Sequence, residues 1–176
     1  MAGIFTEENG VYSLDCTLAL WAANDIGKMY DSAKIHLKDV DWIIETEQNL
    51  ILVEYKNAKI AGAKHPEAFQ PEEERKIRNI VQKYYDSLHY LFLIHKTKPK
   101  YYVYILEYPN GNSNTRRRLR NRIKQELPFA LSGALGVTEK LIEGVDVLSI
   151  DEWNAHPVYG HYPLRLSEEN HRGPSA

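Results

Sequence analysis

Three ionisable side chains, Asp41, Glu54 and Lys56, lie in two consecutive segments that are otherwise strongly apolar. The segments, about 40–46 and 50–56, have the length and the β-branched content of buried strands, and a short polar turn connects them. An unpaired charge is costly to bury, so these side chains need one another, a metal ion or water at a strand end. This requirement makes them a candidate active site.

The spacing of these residues suits metal-assisted hydrolysis. Side chains alternate across a strand, so Glu54 and Lys56 share a face and their Cα atoms lie roughly 7 Å apart. If Asp41 meets Glu54 from the neighbouring strand, two carboxylates and the main-chain carbonyl of Tyr55 form a hard oxygen ligand set for Mg²⁺ or Mn²⁺. Such an ion activates a bound water and stabilises charge on a phosphorane-like transition state, while Lys56 orients the water or neutralises developing charge.

The alternative is a structural salt bridge in which Lys56 pairs with Asp41 or Glu54. One lysine against two carboxylates leaves excess negative charge, which favours a bound cation. Asp39 is a rival to Asp41 as a metal ligand, and we prefer Asp41 because it lies deeper in the apolar run. Glu45 is a weaker candidate, for a second metal.

Hydrophobic periodicity and turn residues predict the elements that position these side chains. The first predictions are a helix over 14–23 with Ser13 as its N-cap, a strand over 33–38, and a meander formed by that strand with 40–46 and 50–56. A loop over 57–70 follows, then a helix from Pro71 to about His95, a strand over 101–108, a basic helix over about 114–126 and a last strand over 145–150.

This order, with Asp41 followed by Glu54-x-Lys56 on the next strand, resembles the PD-(D/E)XK nuclease superfamily over about residues 13–108. In this chain Val40 precedes Asp41 where the family motif has a proline. The resemblance implies an α/β fold of the restriction-endonuclease type, with a central mixed sheet of about five strands flanked by helices in the order αβββαβαβ. We expect this domain over residues 1–166 and a disordered polar tail over 167–176.

The resemblance also implies supporting residues from the first two helices. Family members often add an acid from the first helix, and the candidates are Glu8, Asp15 and Asp25. They often place a glutamine, lysine or arginine on the second helix, where Gln82 is the first choice as a catalytic residue and Arg78 and Lys83 follow it. A solvated helix face is the alternative interpretation of that second set.

Nucleic-acid contacts are predicted at two places. Asn57 and Lys59 follow the motif directly and lie where substrate would enter, with Arg78 on the second helix beside them. The basic helix repels itself unless anions are near, which favours phosphate contact; its candidate residues are Arg116, Arg117 and Arg120. The alternatives are that these arginines form a solvated helix face, or that glutamates elsewhere on the chain or on a partner neutralise them.

The composition of the chain argues against several other classes of protein. No apolar run approaches the roughly 20 residues of a membrane span, and acids precede the nearest apolar run, so we expect a cytoplasmic protein with no membrane partner. The single cysteine, Cys16, forms no internal disulfide, and the seven histidines lack the spacing of zinc ligands. The net charge of -2 is segregated along the chain, which allows a basic face.

The sequence therefore predicts a Mg²⁺-dependent endonuclease acting on nucleic acid, DNA in preference to RNA. One alternative is a catalytically inactive nuclease-like module that binds nucleic acid or protein. Another is an RNA-cutting toxin of the same fold. Double-strand cleavage by one small domain favours a homodimer.

Overall fold

A computed structural model describes residues 2–167 of the chain. The strands are β1 (Ile4–Thr6), β2 (Tyr12–Asp15), β3 (Trp21–Ala23), β4 (Trp42–Glu45), β5 (Leu50–Asn57), β6 (Lys100–Glu107), β7 (Gly144–Leu148) and β8 (Leu164–Leu166). The helices are α1 (Ile26–Ser32), α2 (Glu74–Leu93), α3 (Ser113–Glu126), α4 (Phe129–Leu135) and α5 (Ile150–Ala155), with short 3₁₀ turns at Pro66–Ala68 and Tyr159–His161.

A mixed five-stranded sheet in the order β3-β4-β5-β6-β7 forms the centre of the fold. Strands β3, β4 and β5 are antiparallel neighbours, whereas β5, β6 and β7 are parallel. The prediction of an α/β fold with a central mixed sheet of five strands flanked by helices is confirmed.

Both faces of this sheet are covered, which explains why its central strands are apolar on both faces. Ile43, Leu52 and Tyr102 pack with residues of α1, α2 and α3 in one cluster. Ile44 and Val53 pack on the opposite face with the small sheet β1-β2-β8 and with α5. Glu54 lies on the face covered by α1, α2 and α3, because side chains alternate along β5 and Glu54 is two residues from Leu52.

The predicted helix over 14–23 is wrong. This stretch contains the end of β2 and all of β3, joined by a turn in which the Asp15 carboxylate accepts hydrogen bonds from the Thr17 N–H and hydroxyl. Leu18 is 71% exposed, so its helical spacing from Leu14 was coincidental. Pairing of β2 with β8 and of β3 with β4 outweighs the local pattern.

The predicted strand over 33–38 and the element order αβββαβαβ are also wrong. Residues 33–41 form an irregular connection, and its backbone N–H groups at Lys38 and Val40 donate to side chains of α2 instead of to a strand. The meander exists, but β3 supplies its first strand.

The later elements agree with the predictions to within a few residues, from β5 through α3. Of the predicted tail, residues 168–176 lie outside the described part of the chain, while Ser167 is buried and its N–H donates to the Val11 carbonyl at 2.9 Å. Among the helices of residues 2–167, none combines the length and the apolar character needed to cross a bilayer.

Candidate active site

Asp41 and Glu54 face each other across the β4–β5 pair. Trp42 pairs with Val53, so continuing the antiparallel register by one residue puts Asp41 opposite Glu54. The Asp41 Oδ2 atom accepts a hydrogen bond of 2.7 Å from the Tyr55 N–H, which fixes that carboxylate at the end of the strand pair. The two carboxylates that the sequence singled out therefore lie side by side.

Lys83 of α2 is the direct partner of Glu54. Its ammonium donates to both carboxylate oxygens of Glu54, at 2.7 and 2.9 Å, and both side chains are largely buried. Lys56, the partner expected in the salt-bridge alternative, is exposed and forms no ion pair with any residue in the described part of the chain.

These groups line an open cavity of about 1130 Å³, which we call the carboxylate cavity. Its lining includes Asp41, Glu54, Tyr55, Lys56, Gln82 and Lys83. Glu8, in the turn between β1 and β2, and Tyr104 of β6 line it as well. The cavity thus brings together the residues preferred from the sequence for catalysis and metal binding, but not the rival candidates Asp39 and Glu45.

Burial dominates the electrostatics of the two carboxyl groups, and their proximity adds to it. Burial raises the pKa of Glu54 to about 8, the charge of Asp41 adds to the rise, and Lys83 opposes it. Burial also raises the pKa of Asp41, against the opposing effects of Lys83 and of the Tyr55 N–H. Burial acts to lower the pKa of Lys83, but the two carboxylates outweigh it and raise that pKa. One buried cation therefore faces two carboxylates.

Two residues of α2 hold the segment that leads into Asp41. The Ser87 hydroxyl accepts a hydrogen bond of 3.1 Å from the Val40 N–H, and the Asp86 Oδ2 atom accepts one of 2.9 Å from the Lys38 N–H. Both α2 residues are buried. The Gln82 amide donates to the other oxygen of Asp86 at 2.6 Å, so Gln82 belongs to this network at the cavity wall.

The other acidic candidates differ in their distance from the site. Asp39 accepts a hydrogen bond of 2.9 Å from the Gly27 N–H and lines a neighbouring cavity together with Asp41, but not the carboxylate cavity. Glu45 is at the opposite end of β4 and pairs with Lys96 and Lys98. Asp15 is engaged in its turn with Thr17, and Asp25 directly precedes α1. We therefore retain neither Glu45 as a second metal ligand nor Asp15 and Asp25 as supporting acids.

The residues predicted to contact nucleic acid near the motif differ in their surroundings. Asn57 accepts from the Lys59 N–H at 2.9 Å, and the Lys59 ammonium pairs with Glu107 at 2.8 Å, away from the carboxylate cavity. Arg78 lines the cavity and pairs with Glu74 one turn earlier on α2. Of these residues, Arg78 is the one beside the carboxylates.

The arginines of α3 do not line the carboxylate cavity. Arg116 forms two hydrogen bonds with the Glu152 carboxylate of α5, at 2.8 and 3.0 Å, and is mostly buried. Arg117 is exposed and contacts Asn114, and Arg120 contacts Asn121. Arg116 is thus engaged within the fold, whereas Arg117 remains open to a partner.

Lys83 and Tyr104 are the site residues that sequence reasoning underrated or missed. Lys83 stands three residues after the buried Ile80 and next to the buried Tyr84, so it borders the apolar stripe of α2, and that position was the available signal. Tyr104 lies beside Glu54 in the parallel β5–β6 register, which the sequence does not reveal.

The donor set fits a hard divalent cation with few protein ligands. No group of three or more acidic, histidine or cysteine side chains within residues 2–167 is arranged to hold a metal. Two carboxylates and the Tyr55 carbonyl match Mg²⁺, which keeps several waters and takes one or two carboxylates. Each carboxylate oxygen has two lone pairs, so Glu54 can bind a cation while its oxygens also accept from Lys83.

Neither a protein-family model nor a curated protein nor a solved structure matches the chain. Function is therefore inferred from the geometry and chemistry of the site.

Proposed function

We propose that the protein is a metal-dependent nuclease of restriction-endonuclease-like fold that hydrolyses phosphodiester bonds, with DNA as the favoured substrate. The observation that carries this proposal is the juxtaposition of the Asp41 and Glu54 carboxyl groups at the wall of an open cavity that lysines and arginines surround. Carboxylates alone would repel a phosphodiester, so a bound cation and the surrounding basic residues are both needed.

Asp41, Glu54 and the Tyr55 carbonyl would hold the Mg²⁺ or Mn²⁺ ion. When bound, the ion supplies a Lewis acid that polarises the phosphoryl group and lowers the pKa of a coordinated water. Lys56, which is exposed at the cavity and shares a face with Glu54, orients the attacking water or neutralises developing charge. Lys83 fixes the orientation of the Glu54 carboxylate, and Gln82 contributes through its contact with Asp86. The family resemblance further implies products with a 5′-phosphate.

A second candidate function rests on the contact between Lys83 and Glu54. Lys83 donates to both oxygens of Glu54, so the two residues also suit a structural ion pair. In that interpretation the protein is an inactive nuclease-like module that binds nucleic acid or another protein. In that case the basic surface is retained and no cleavage occurs.

Cleavage assays with Glu54→Gln distinguish the two functions. Wild-type protein with Mn²⁺ is expected to cut DNA, and Glu54→Gln is expected to lose both cleavage and Mn²⁺ binding. Glu45→Gln is a matched control, because Glu45 is equally buried and lysine-paired but lies at the other end of β4. It should keep both properties.

Substrate comparison tests the remaining alternatives. Plasmid DNA, single-stranded DNA and tRNA are offered to the same preparation, and preferential cutting of tRNA would favour an RNA-cutting toxin. The nuclease proposal is overturned if the wild type cleaves none of these substrates and Glu54→Gln changes only the melting temperature. Double-strand cleavage should be accompanied by a homodimer in sedimentation.

A further inference from the structure

A second cavity, of about 620 Å³, lies between the 57–70 loop and the β1–β2 turn, and we call it the loop cavity. It shares Lys56, Phe69 and Lys76 with the lining of the carboxylate cavity. The two cavities therefore adjoin, and Lys56 belongs to both. A ligand held at Asp41 and Glu54 can extend past Lys56 into the loop cavity.

The two cavities differ in charge. The carboxylate cavity is lined by acidic as well as basic side chains, whereas the described lining of the loop cavity contains lysines and a histidine and no aspartate or glutamate. Glu67 and Glu73 belong to the surrounding chain but not to that lining, and Glu73 is paired with Lys76. Lys64 is exposed and has no ion-pair partner within residues 2–167.

A concave surface lined by one sign of charge concentrates counter-ions and raises the local potential. The lysines in the described lining of the loop cavity, Lys56, Lys64 and Lys76, favour anions beside the proposed point of hydrolysis. The ring of Phe69 lies at the junction of the two cavities, with the Lys76 ammonium 4.5 Å from its centroid. Basic residues combined with an aromatic ring are typical of surfaces that follow an unpaired nucleic-acid strand.

We propose that the loop cavity binds the phosphates next to the scissile bond, and that the substrate enters this site as an unpaired strand. This inference rests on the proposed nuclease function and specifies its substrate. The volume of the cavity falls in the range of about 300–1,000 Å³ that holds a drug-sized ligand. Such a volume is comparable to one or two nucleotides of a single strand. Lys64 contacts a phosphate in this arrangement, and Lys56 links that contact to the site of hydrolysis.

Binding of a labelled single-stranded 12-nucleotide DNA, measured by fluorescence anisotropy in EDTA, tests this inference without cleavage. Lys64→Glu is expected to weaken binding about tenfold at low salt, and to reduce the slope of log K against log salt by about 0.7. Lys140→Glu is the matched control: Lys140 is exposed and precedes β7, at the end of the parallel strands opposite Glu54. It should bind as the wild type does.

The outcomes separate this inference from the proposed function. If the wild type cleaves DNA but Lys64→Glu binds the single strand as tightly as the wild type, the loop-cavity inference is overturned and the nuclease proposal stands. If binding depends on Lys64 but nothing is cleaved with Mn²⁺, the nuclease proposal is overturned and the strand-binding cavity stands. Preferential binding of duplex over the single strand, with equal dependence on Lys64, overturns the assignment to an unpaired strand.

Discussion

The Lys83 ammonium lies 2.7 and 2.9 Å from the two carboxylate oxygens of Glu54, and so joins the middle of α2 to the carboxyl end of β5. This contact neutralises one carboxylate of the site. Asp41, opposite Glu54, is stabilised mainly by the Tyr55 N–H and by its proximity to the same lysine. The stability of the protein therefore depends on a lysine and on the two carboxyl groups of the proposed metal site.

Replacing Lys83 with methionine should destabilise the protein. The substitution keeps most of the side-chain volume but leaves Glu54 buried without a cation, which costs about 3 kcal/mol of unfolding free energy when a buried pair is broken. Urea denaturation at pH 8 measures the loss. The double variant Lys83→Met with Glu54→Gln should recover much of it, because the buried charge is then absent. If Lys83→Met is as stable as the wild type, the contact between Lys83 and Glu54 does not stabilise the protein.

In EDTA, stability should fall as the pH rises from about 5 to about 8. Burial raises the pKa of Glu54 from its ordinary value of 4.5 to about 8. In this window the folded protein holds a proton that the unfolded chain has lost, so rising pH favours unfolding, by at most about 1.4 kcal/mol per pH unit from this group. Asp41, whose pKa burial also raises, acts in the same direction.

Two variants check the origin of this pH dependence. Glu54→Gln removes the titrating group and should flatten the stability profile measured by urea denaturation between pH 5 and pH 8. Glu45→Gln should behave differently, because Lys96 and Lys98 outweigh the effect of burial and lower the pKa of Glu45. That carboxylate stabilises the protein above its ordinary pKa, so its loss should cost stability across the window without flattening the profile. An unchanged slope in Glu54→Gln would contradict the assignment.

Removing the Ser87 hydroxyl should disturb the position of Asp41. In Ser87→Ala the buried Val40 N–H loses its acceptor, at a cost of about 1–3 kcal/mol. Because Val40 directly precedes Asp41, the nuclease proposal also predicts a lower rate of cleavage. Ser32→Ala is the control: its exposed hydroxyl donates to the Lys28 carbonyl on α1, and its loss should change stability by less than about 0.5 kcal/mol. Equal effects of the two substitutions would contradict a positioning role for Ser87.

Arg116 and Arg117 should differ in what their replacement by alanine affects. Arg116→Ala breaks the two hydrogen bonds to Glu152 and should cost about 1–3 kcal/mol in urea denaturation. Arg117 is exposed, so Arg117→Ala should leave stability within about 0.5 kcal/mol of the wild type. Its expected effect is weaker binding to single-stranded DNA, with a salt slope reduced by about 0.7. Unchanged DNA affinity in Arg117→Ala would remove α3 from the nucleic-acid surface.

The sequence determined the centre of the fold because the signals there are local. Strands β4, β5 and β6 are short runs that are apolar on both faces, α2 carries repeating apolar positions over several turns, and α3 lies between a turn and Pro128. Charges within such runs are conspicuous, and for that reason Asp41 and Glu54 stood out. Their lateral alignment follows from a tight connection between two antiparallel strands.

Only the tertiary structure decided which distant groups meet these carboxylates. The segment 14–23 has the spacing of a helix, yet pairing with β8 and β4 makes its ends strands, since long-range hydrogen bonds outweigh a weak local preference. Lys83 rather than Lys56 pairs with Glu54, and Asp86 and Ser87 hold the approach to Asp41, because α2 lies across that face of the sheet. The junction of the two cavities likewise depends on where the 57–70 loop folds back, and no residue spacing encodes that path.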